Sequence, residues 1–270
     1  VPKYYRETTP RENPVSERGA GFNNRDLEGG GMSEQRILGK APPESSELQK
    51  AADAGFEAVE LYLEEKHLER MSQSADAVNE SEVAVESVHT PHMARDELEY
   101  LTLTDDFAQE IDADYMVIHS GAIPTNDVAG IEREFEFETP HGYESGMGES
   151  LHFIENAILD HEEVDMEFVF DVAHVYGGTP AYRRVVRTLL TEPHVNSIGL
   201  IHFCDSTATD DGLAIGEGDI DVEWLADQIR REYDGPVVLE VNGEDQAAAL
   251  DFWKSNEENS QEESGETESE

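Results

Sequence analysis

Short apolar runs recur along this chain, and the stretches between them carry helical spacing. AVELY at 58–62, YMVIH at 115–119, FVFDV at 168–172, IGLIHF at 198–203 and PVVLEV at 236–241 are each of strand length. They are apolar at successive positions, as in strands buried on both faces. In chain order the pattern predicts strands at Gln35–Ala41, Ala58–Tyr62, Val83–His89, Asp114–His119, Glu134–Thr139, Glu167–Asp171, Ser197–Phe203 and Val237–Val241. Helices are predicted at Ser46–Ala54, in part of the polar stretch Glu64–Glu80, and at Asp96–Ile111, Glu149–Leu159, Pro180–Leu190, Val222–Glu232 and Glu244–Phe252. Ser45 or Ser46 is the expected cap of the first helix and Gly55 its stop. Pro180 falls in a first turn, where its missing N–H costs little, and Asp221 is placed to cap the helix that follows it.

Strands alternating with helices predict an α/β fold, a (β/α)8 TIM barrel. A doubly wound open sheet is the alternative, but no G-x-G-x-x-G follows the first strand. Between His119 and Glu138 there is little room for a full crossover helix, which predicts a shortened or irregular fourth crossover. Residues 1–31, rich in Pro, Gly, Asn, Arg and Glu, read as a flexible N-terminal extension. Residues 255–270, with many glutamates and no basic residue, read as an acidic disordered tail, leaving 32–254 as the catalytic domain.

Six of the strands end in a residue that binds metals: His89, His119, Glu138, Asp171, His202 and Glu240. Parallel strands of a barrel would aim these ends at one mouth, where active sites of such barrels lie. Glu240 closes a run apolar enough to be buried, where a carboxylate needs a metal or a cation. Asp171 and His174, three apart, converge on the mouth only if the strand ends at Asp171 and the chain turns. Taken singly, each residue has a plainer reading: Asp171 as a turn cap, Glu138 as a surface acid, and His89, His119 and His202 as hydrogen-bonded core histidines. Carboxylates mixed with imidazoles suit Mn, Zn, Co, Fe or Mg rather than calcium. His92 and His141 read as loop residues beside the site, Cys204 as packing near it, and His67, His152, His161 and His194 as surface. Lys40, past the first strand, is a mouth-facing cation, whereas Arg183 and Arg184 fall on a helix surface. The glycine-rich I-G-E-G at 215–218 is either a phosphate cradle of backbone N–H groups or a turn leading to Asp221.

Composition changes this picture in two ways. The 62 acidic residues against 18 basic give a net charge of −44, spread along the whole chain. With apolar runs persisting throughout, this reads as a folded protein with an acidic surface of the salt-loving archaeal style rather than a disordered one. Such a charge disfavours a broad positive groove for nucleic acid. A single cysteine excludes an internal disulfide and fits a reducing compartment. With no apolar stretch for a signal peptide or a membrane span, a cytoplasmic protein is expected.

The motifs H-T-P-H at 89–92, H-S-G at 119–121, E-T-P-H-G at 138–142, D-V-A-H at 171–174, H-F-C-D-S at 202–206, A-I-G-E-G at 214–218 and L-E-V at 239–241 resemble, in this order, the xylose isomerase-like barrels. That superfamily includes sugar isomerases and epimerases and the endonuclease IV family of abasic-site nucleases. In the isomerase and epimerase branch, the resemblance implies Glu138, Asp171, His202 and Glu240 as ligands of a divalent metal. The two glutamates would double as an acid/base pair working through an enediolate, and His174 would hold a substrate oxygen. Lys40, His89, His119 and His141 are then candidates for binding a sugar or sugar phosphate. In the nuclease branch, also called AP endonuclease family 2, His89, His119, His174 and Asp210 would join a three-metal cluster. There Gly212 stands where that branch has a further histidine. The reading is therefore a metal-dependent sugar isomerase or epimerase, with an abasic-site phosphodiesterase as alternative and a non-catalytic binding barrel as a third. The surface charge yields its own expectation. The thermal unfolding midpoint should rise as KCl goes from about 0.1 M to about 2 M, because the Debye length falls to about 3 Å; a midpoint indifferent to salt would overturn it.

Overall fold

The computed structural model describes residues 35–93, 99–119 and 167–255, together with the backbone of 134–138. The expected fourth crossover, the helix Glu149–Leu159, His141, and the terminal segments 1–31 and 256–270 lie outside the described residues. Eight parallel strands close into a barrel in sequence order: β1 (Ile37–Ala41), β2 (Ala58–Tyr62), β3 (Ala84–His89), β4 (Tyr115–His119), β5 (Glu134–Glu138), β6 (Phe168–Asp171), β7 (Ile198–Phe203) and β8 (Val237–Leu239). Each differs from its expected bounds by no more than two residues. The TIM barrel fold is thus the one observed. Among the described residues, no helix is long and apolar enough to cross a membrane.

Strand alternation sorts the apolar side chains into three sets. Leu38, Tyr115, Val117, Val169, Leu200 and Val238 form one buried cluster, with Ala58 against it. Their immediate neighbours belong elsewhere. Phe168, Phe170, Ile201, Phe203, Val237 and Leu239 pack among the helices after β6 and β7. Val59, Leu61, Val88 and Met116 pack among the helices of the first half. The first set is the barrel interior and the others are its helix-covered exterior. Burying a side chain such as Phe170 contributes roughly 2–3 kcal/mol. In β2 and β3 the alternation is reset by a register shift: Val59 pairs with Val85, but Glu60 pairs with Ser87. The skipped residue, Glu86, instead meets Arg36 at 2.9 Å. This bulge turns Ser87 and His89 onto the inner face, where an uninterrupted ladder would have put Glu86 and Val88.

Helix ends follow local chemistry. The helix Ser45–Ala54 starts after Glu44, not a serine, and no side chain caps it. It stops at Gly55, whose φ of 94° is a left-handed conformation that glycine adopts without strain. The polar stretch after β2 forms two helices, Glu65–Leu68 and Met71–Asn79. His67, expected at the surface, is buried there. Its Nδ1 accepts from the Glu64 backbone N–H at 3.0 Å, and its Nε2 lies 3.1 Å from Glu44. Asp221 caps Val222–Glu232 as expected, accepting from Trp224 N–H at 3.2 Å. A closing helix over 246–255 is tied to β1 by Gln246, whose amide donates to the Lys40 carbonyl.

The glycine-rich loop after β7 is the turn rather than the phosphate cradle. Its backbone N–H groups already hold an anion, the buried carboxylate of Asp205. Oδ2 accepts from Gly216 and Gly218, each at 2.9 Å, and Oδ1 accepts from Ser206 at 2.8 Å and Ile220 at 3.1 Å. A Cβ on Gly218 would collide with Oδ1, so this position has no room for a side chain. Asp205→Ala would strand four donors at once. Hydrogen bonds to charged acceptors are each worth about 1.5–3 kcal/mol, so denaturant unfolding should show a loss of roughly 3–5 kcal/mol; a loss under about 1 kcal/mol would contradict this role.

Candidate metal centre

Two residues beyond each interior apolar position, the strands reach the barrel mouth. The step of two carries Leu38 to Lys40, Ala58 to Glu60, Ser87 to His89, Val117 to His119, Val169 to Asp171, Leu200 to His202 and Val238 to Glu240. Register places Lys40 beside Glu60, Glu60 beside Ser87, and Asp171 beside His202. It also places Glu138 beside His119. The Glu138 side chain, like His141, lies outside the described residues.

His202 is wholly buried at the centre of the group. Its Nδ1 lies 3.2 Å from Glu240 Oε2 and 3.6 Å from Asp171 Oδ2. Its Nε2 lies 3.0 Å from Glu60 Oε1. Glu60 is equally buried; its Oε2 accepts from Ser87 Oγ at 2.8 Å, and its Oε1 is 3.3 Å from Lys40 Nζ. Lys40 also pairs with Glu240 Oε1, bridging two of the three carboxylates. Asp171 ends β6 and caps the helix Val172–Gly178, accepting from His174 N–H at 2.7 Å through Oδ1. That cap holds Oδ2 toward the mouth. The chain turns at Asp171, as convergence required, and His174 Nε2 comes to 3.8 Å from Oδ2.

Histidines continue the group around the mouth, the His89 ring stacking 5.7 Å from that of His202, centroid to centroid. His89 Nδ1 donates to the Thr90 carbonyl at 2.9 Å, which makes Nε2 its accepting nitrogen. The His119 ring lies 4.6 Å from His89, 4.3 Å from His92 and 6.2 Å from His174, centroid to centroid. The cavity at the mouth has a volume of about 530 Å³ and is lined by Lys40, Tyr62, His89, His92, His119, Asp171, His174, Cys204, Gly212 and Glu240, among others. Asp210 is not brought to this group: it is exposed and engaged with Thr207 at 3.2 Å and Thr209 at 3.0 Å. Arg183 is on an exposed helix face, paired with Asp221 and over Trp224.

Two sets of donors lie within 4.8 Å of one another: Asp171, His202 and Glu240, and Glu60, His89 and His202. In the first, separations of 3.2 and 3.6 Å are those of donors each about 2.1 Å from a common ion. Charge points the same way. Around His202, the described residues set Glu60, Asp171 and Glu240 against Lys40. Three buried or part-buried carboxylates outnumber Lys40 even with the basic His202 imidazole among them, and a divalent cation would complete the balance. The residues therefore fit a divalent metal.

The carboxylate missed in sequence is Glu60. Its signal was the one that marked Glu240, a glutamate inside an apolar run, but in AVELYLEE it is neither the end of the run nor its only acid. Burial pushes the Glu60 carboxyl up, yet the charges of His202 and Lys40 outweigh that and hold it down at about 2. Burial likewise pulls the His202 imidazole down, but Glu60, helped by Glu240 and Asp171, raises it well above the usual histidine range. Burial pushes the Cys204 thiol up, so it stays a neutral packing group beside Asp171.

A family model described as xylose isomerase-like TIM barrel matches residues 131–264, in agreement with the resemblance carried by the motifs. No curated protein matches the chain. Solved structures share its fold. A D-tagatose 3-epimerase-like protein is 18% identical with a TM-score of 0.63, covering 84% of this chain and 99% of that one. A protein from Thermus thermophilus, in crystals soaked with zinc chloride, is 20% identical with a TM-score of 0.61, covering 82% of this chain and 97% of that one. An AP endonuclease of family 2 from Brucella melitensis is 12% identical with a TM-score of 0.59, covering 82% and 99% in the same order.

The charge pair has a pH signature in the metal-free protein. Glu60 is more acidic folded than unfolded, so its contribution is complete above about pH 4.5 and fades as pH falls toward 2. His202 is more basic folded, so its contribution is complete below about pH 6.5 and fades as pH rises through its raised value. In chelator-treated protein, the stability gap between wild type and Glu60→Gln should be widest between these limits and close on the acid side. A gap independent of pH would contradict the pairing.

Proposed function

We propose that this chain, similar over residues 131–264 to the xylose isomerase-like TIM barrels, is a divalent-metal-dependent isomerase or epimerase of a sugar or sugar phosphate. The observation that carries the reading is the Asp171, His202 and Glu240 donor set, of which Asp171 and Glu240 line a cavity of about 530 Å³. That volume suits a small ligand enclosed by side chains rather than a duplex laid across the mouth. The epimerase-like protein among the structural neighbours supports the same class.

Asp171, His202 and Glu240, with Glu138 as fourth, would hold the ion. When bound it supplies Lewis-acid polarisation of a sugar carbonyl and its neighbouring hydroxyl. Lys40 pairs with Glu240 Oε1, and the Glu240 carboxylate would accept the proton from the carbon alpha to the carbonyl. Glu138 would return a proton to the opposite face or the adjacent carbon of the enediolate. His174, on the rim beside Asp171, would hold a substrate hydroxyl, while His89 and His119 line the wall and orient the ring. With the Asp205 carboxylate filling the glycine-rich loop, a phosphate on the substrate would have to be met elsewhere.

In deuterated buffer with Mn or Co, a ketose panel should show label entering alpha to the carbonyl. Glu240→Gln should slow this by about 10²–10⁴-fold, the usual worth of a positioned base. Absence of exchange in every sugar would sink the assignment. A second reading, abasic-site phosphodiester hydrolysis, is favoured by the clustering of His89, His119 and His92, which the isomerase scheme does not need as ligands. On that reading, nicking of abasic duplex in high salt occurs and vanishes in both His89→Ala and His119→Ala, and the protein holds two or three metals per chain. One metal per chain favours the isomerase.

A further inference from the structure

We propose that Glu60 is a positioning residue that fixes the His202 ring with Nε2 protonated and Nδ1 turned toward Asp171 and Glu240. The inference rests on the metal-centre reading above. Its ground is the two-sided setting of one buried imidazole. Nε2 is 3.0 Å from Glu60 Oε1, and Nδ1 is 3.2 and 3.6 Å from the other two carboxylates. A carboxylate at Nε2 can only accept, so it selects the Nε2–H tautomer and leaves the Nδ1 lone pair for an ion.

Glu60 cannot easily leave this post. Ser87 Oγ donates to its Oε2 at 2.8 Å, and Lys40 stands 3.3 Å from its Oε1. Both partners come from the strands flanking β2, and Ser87 reaches the inner face only through the bulge at Glu86. Glu60 also belongs to a second donor set with His89 and His202. A ligand role there is the competing possibility. Ser87 takes Oε2, and Oε1 stands within ion-pair reach of both Lys40 and His202 Nε2, which sets Glu60 against the ring rather than against an ion.

Metal binding separates these roles without recourse to activity. Zinc titrations by calorimetry, and cobalt titrations read by visible absorption, would compare wild type, Glu60→Gln, Ser87→Ala and Asp171→Asn, each checked for folding by near-ultraviolet circular dichroism. A positioning role predicts unchanged stoichiometry, affinity about 10–100-fold weaker in Glu60→Gln, and an altered cobalt spectrum. In Ser87→Ala the loss is smaller but in the same direction. If Glu60→Gln does not fold, Ser87→Ala decides alone. Affinity within twofold of wild type in every folded variant of this pair overturns the proposal, as does a drop of one whole equivalent in Glu60→Gln, which would make Glu60 a ligand. Asp171→Asn separates the two levels. If it weakens binding while Glu60→Gln does not, the metal centre stands and the positioning role falls. If wild type takes up no metal, both fall.

Discussion

In a closed parallel barrel, each strand must send alternate side chains inward, and the inner space narrows to a mouth that all strands share. Every interior apolar residue therefore commits the residue two places on. Leu38, Val117, Val169, Leu200 and Val238 fill the inside, and Lys40, His119, Asp171, His202 and Glu240 follow them by geometric necessity. The site is a continuation of the core by one more layer, in which oil gives way to charge. Its rigidity comes from the layer beneath, since a strand packed on both faces offers its end residue little freedom.

That continuation creates an electrostatic problem, and the arrangement of the mouth answers it in parts. Lys40 is shared between Glu60 and Glu240, and Asp171 commits one oxygen to a helix N-terminus. His202 lies among all three carboxylates, and their charges raise its imidazole well above the usual histidine range. A divalent ion there would meet the same excess of negative charge, so its binding would compete with protonation of the ring. The centre is built so that something positive is always needed at one spot.

Most of the barrel was legible because its strands are short, apolar and bounded by helical spacing; β2 and the helix Val222–Glu232 match their expected bounds. The strand-end residues were legible for the same reason, with Asp171, His202 and Glu240 meeting as their positions suggested. What escaped depended on contacts across the sheet. Glu60 looked like one acid among several until its partners on β1, β3 and β7 were in view. The bulge at Glu86, which decides the facing of Ser87 and His89, has no local marker such as glycine. The loop at 215–218 looked equally fit for a phosphate or a turn, because the anion it binds, the Asp205 carboxylate, lies well back in the chain and comes within reach only on folding. His67 was misjudged for a similar reason: a capping exchange with Glu64 and a contact with Glu44 draw it inward.

Two populations of charge coexist in this molecule, and they answer to different surroundings. The acids spread over the exterior are bathed in electrolyte, and their mutual repulsion rises and falls with the ions outside. The Lys40, Glu60 and His202 group is buried among side chains, where screening by mobile ions is much weaker. Brine can thus alter how firmly the protein holds together while acting far less on the field among these buried groups. The two populations are in this sense given separate dials, and added salt would turn one much further than the other.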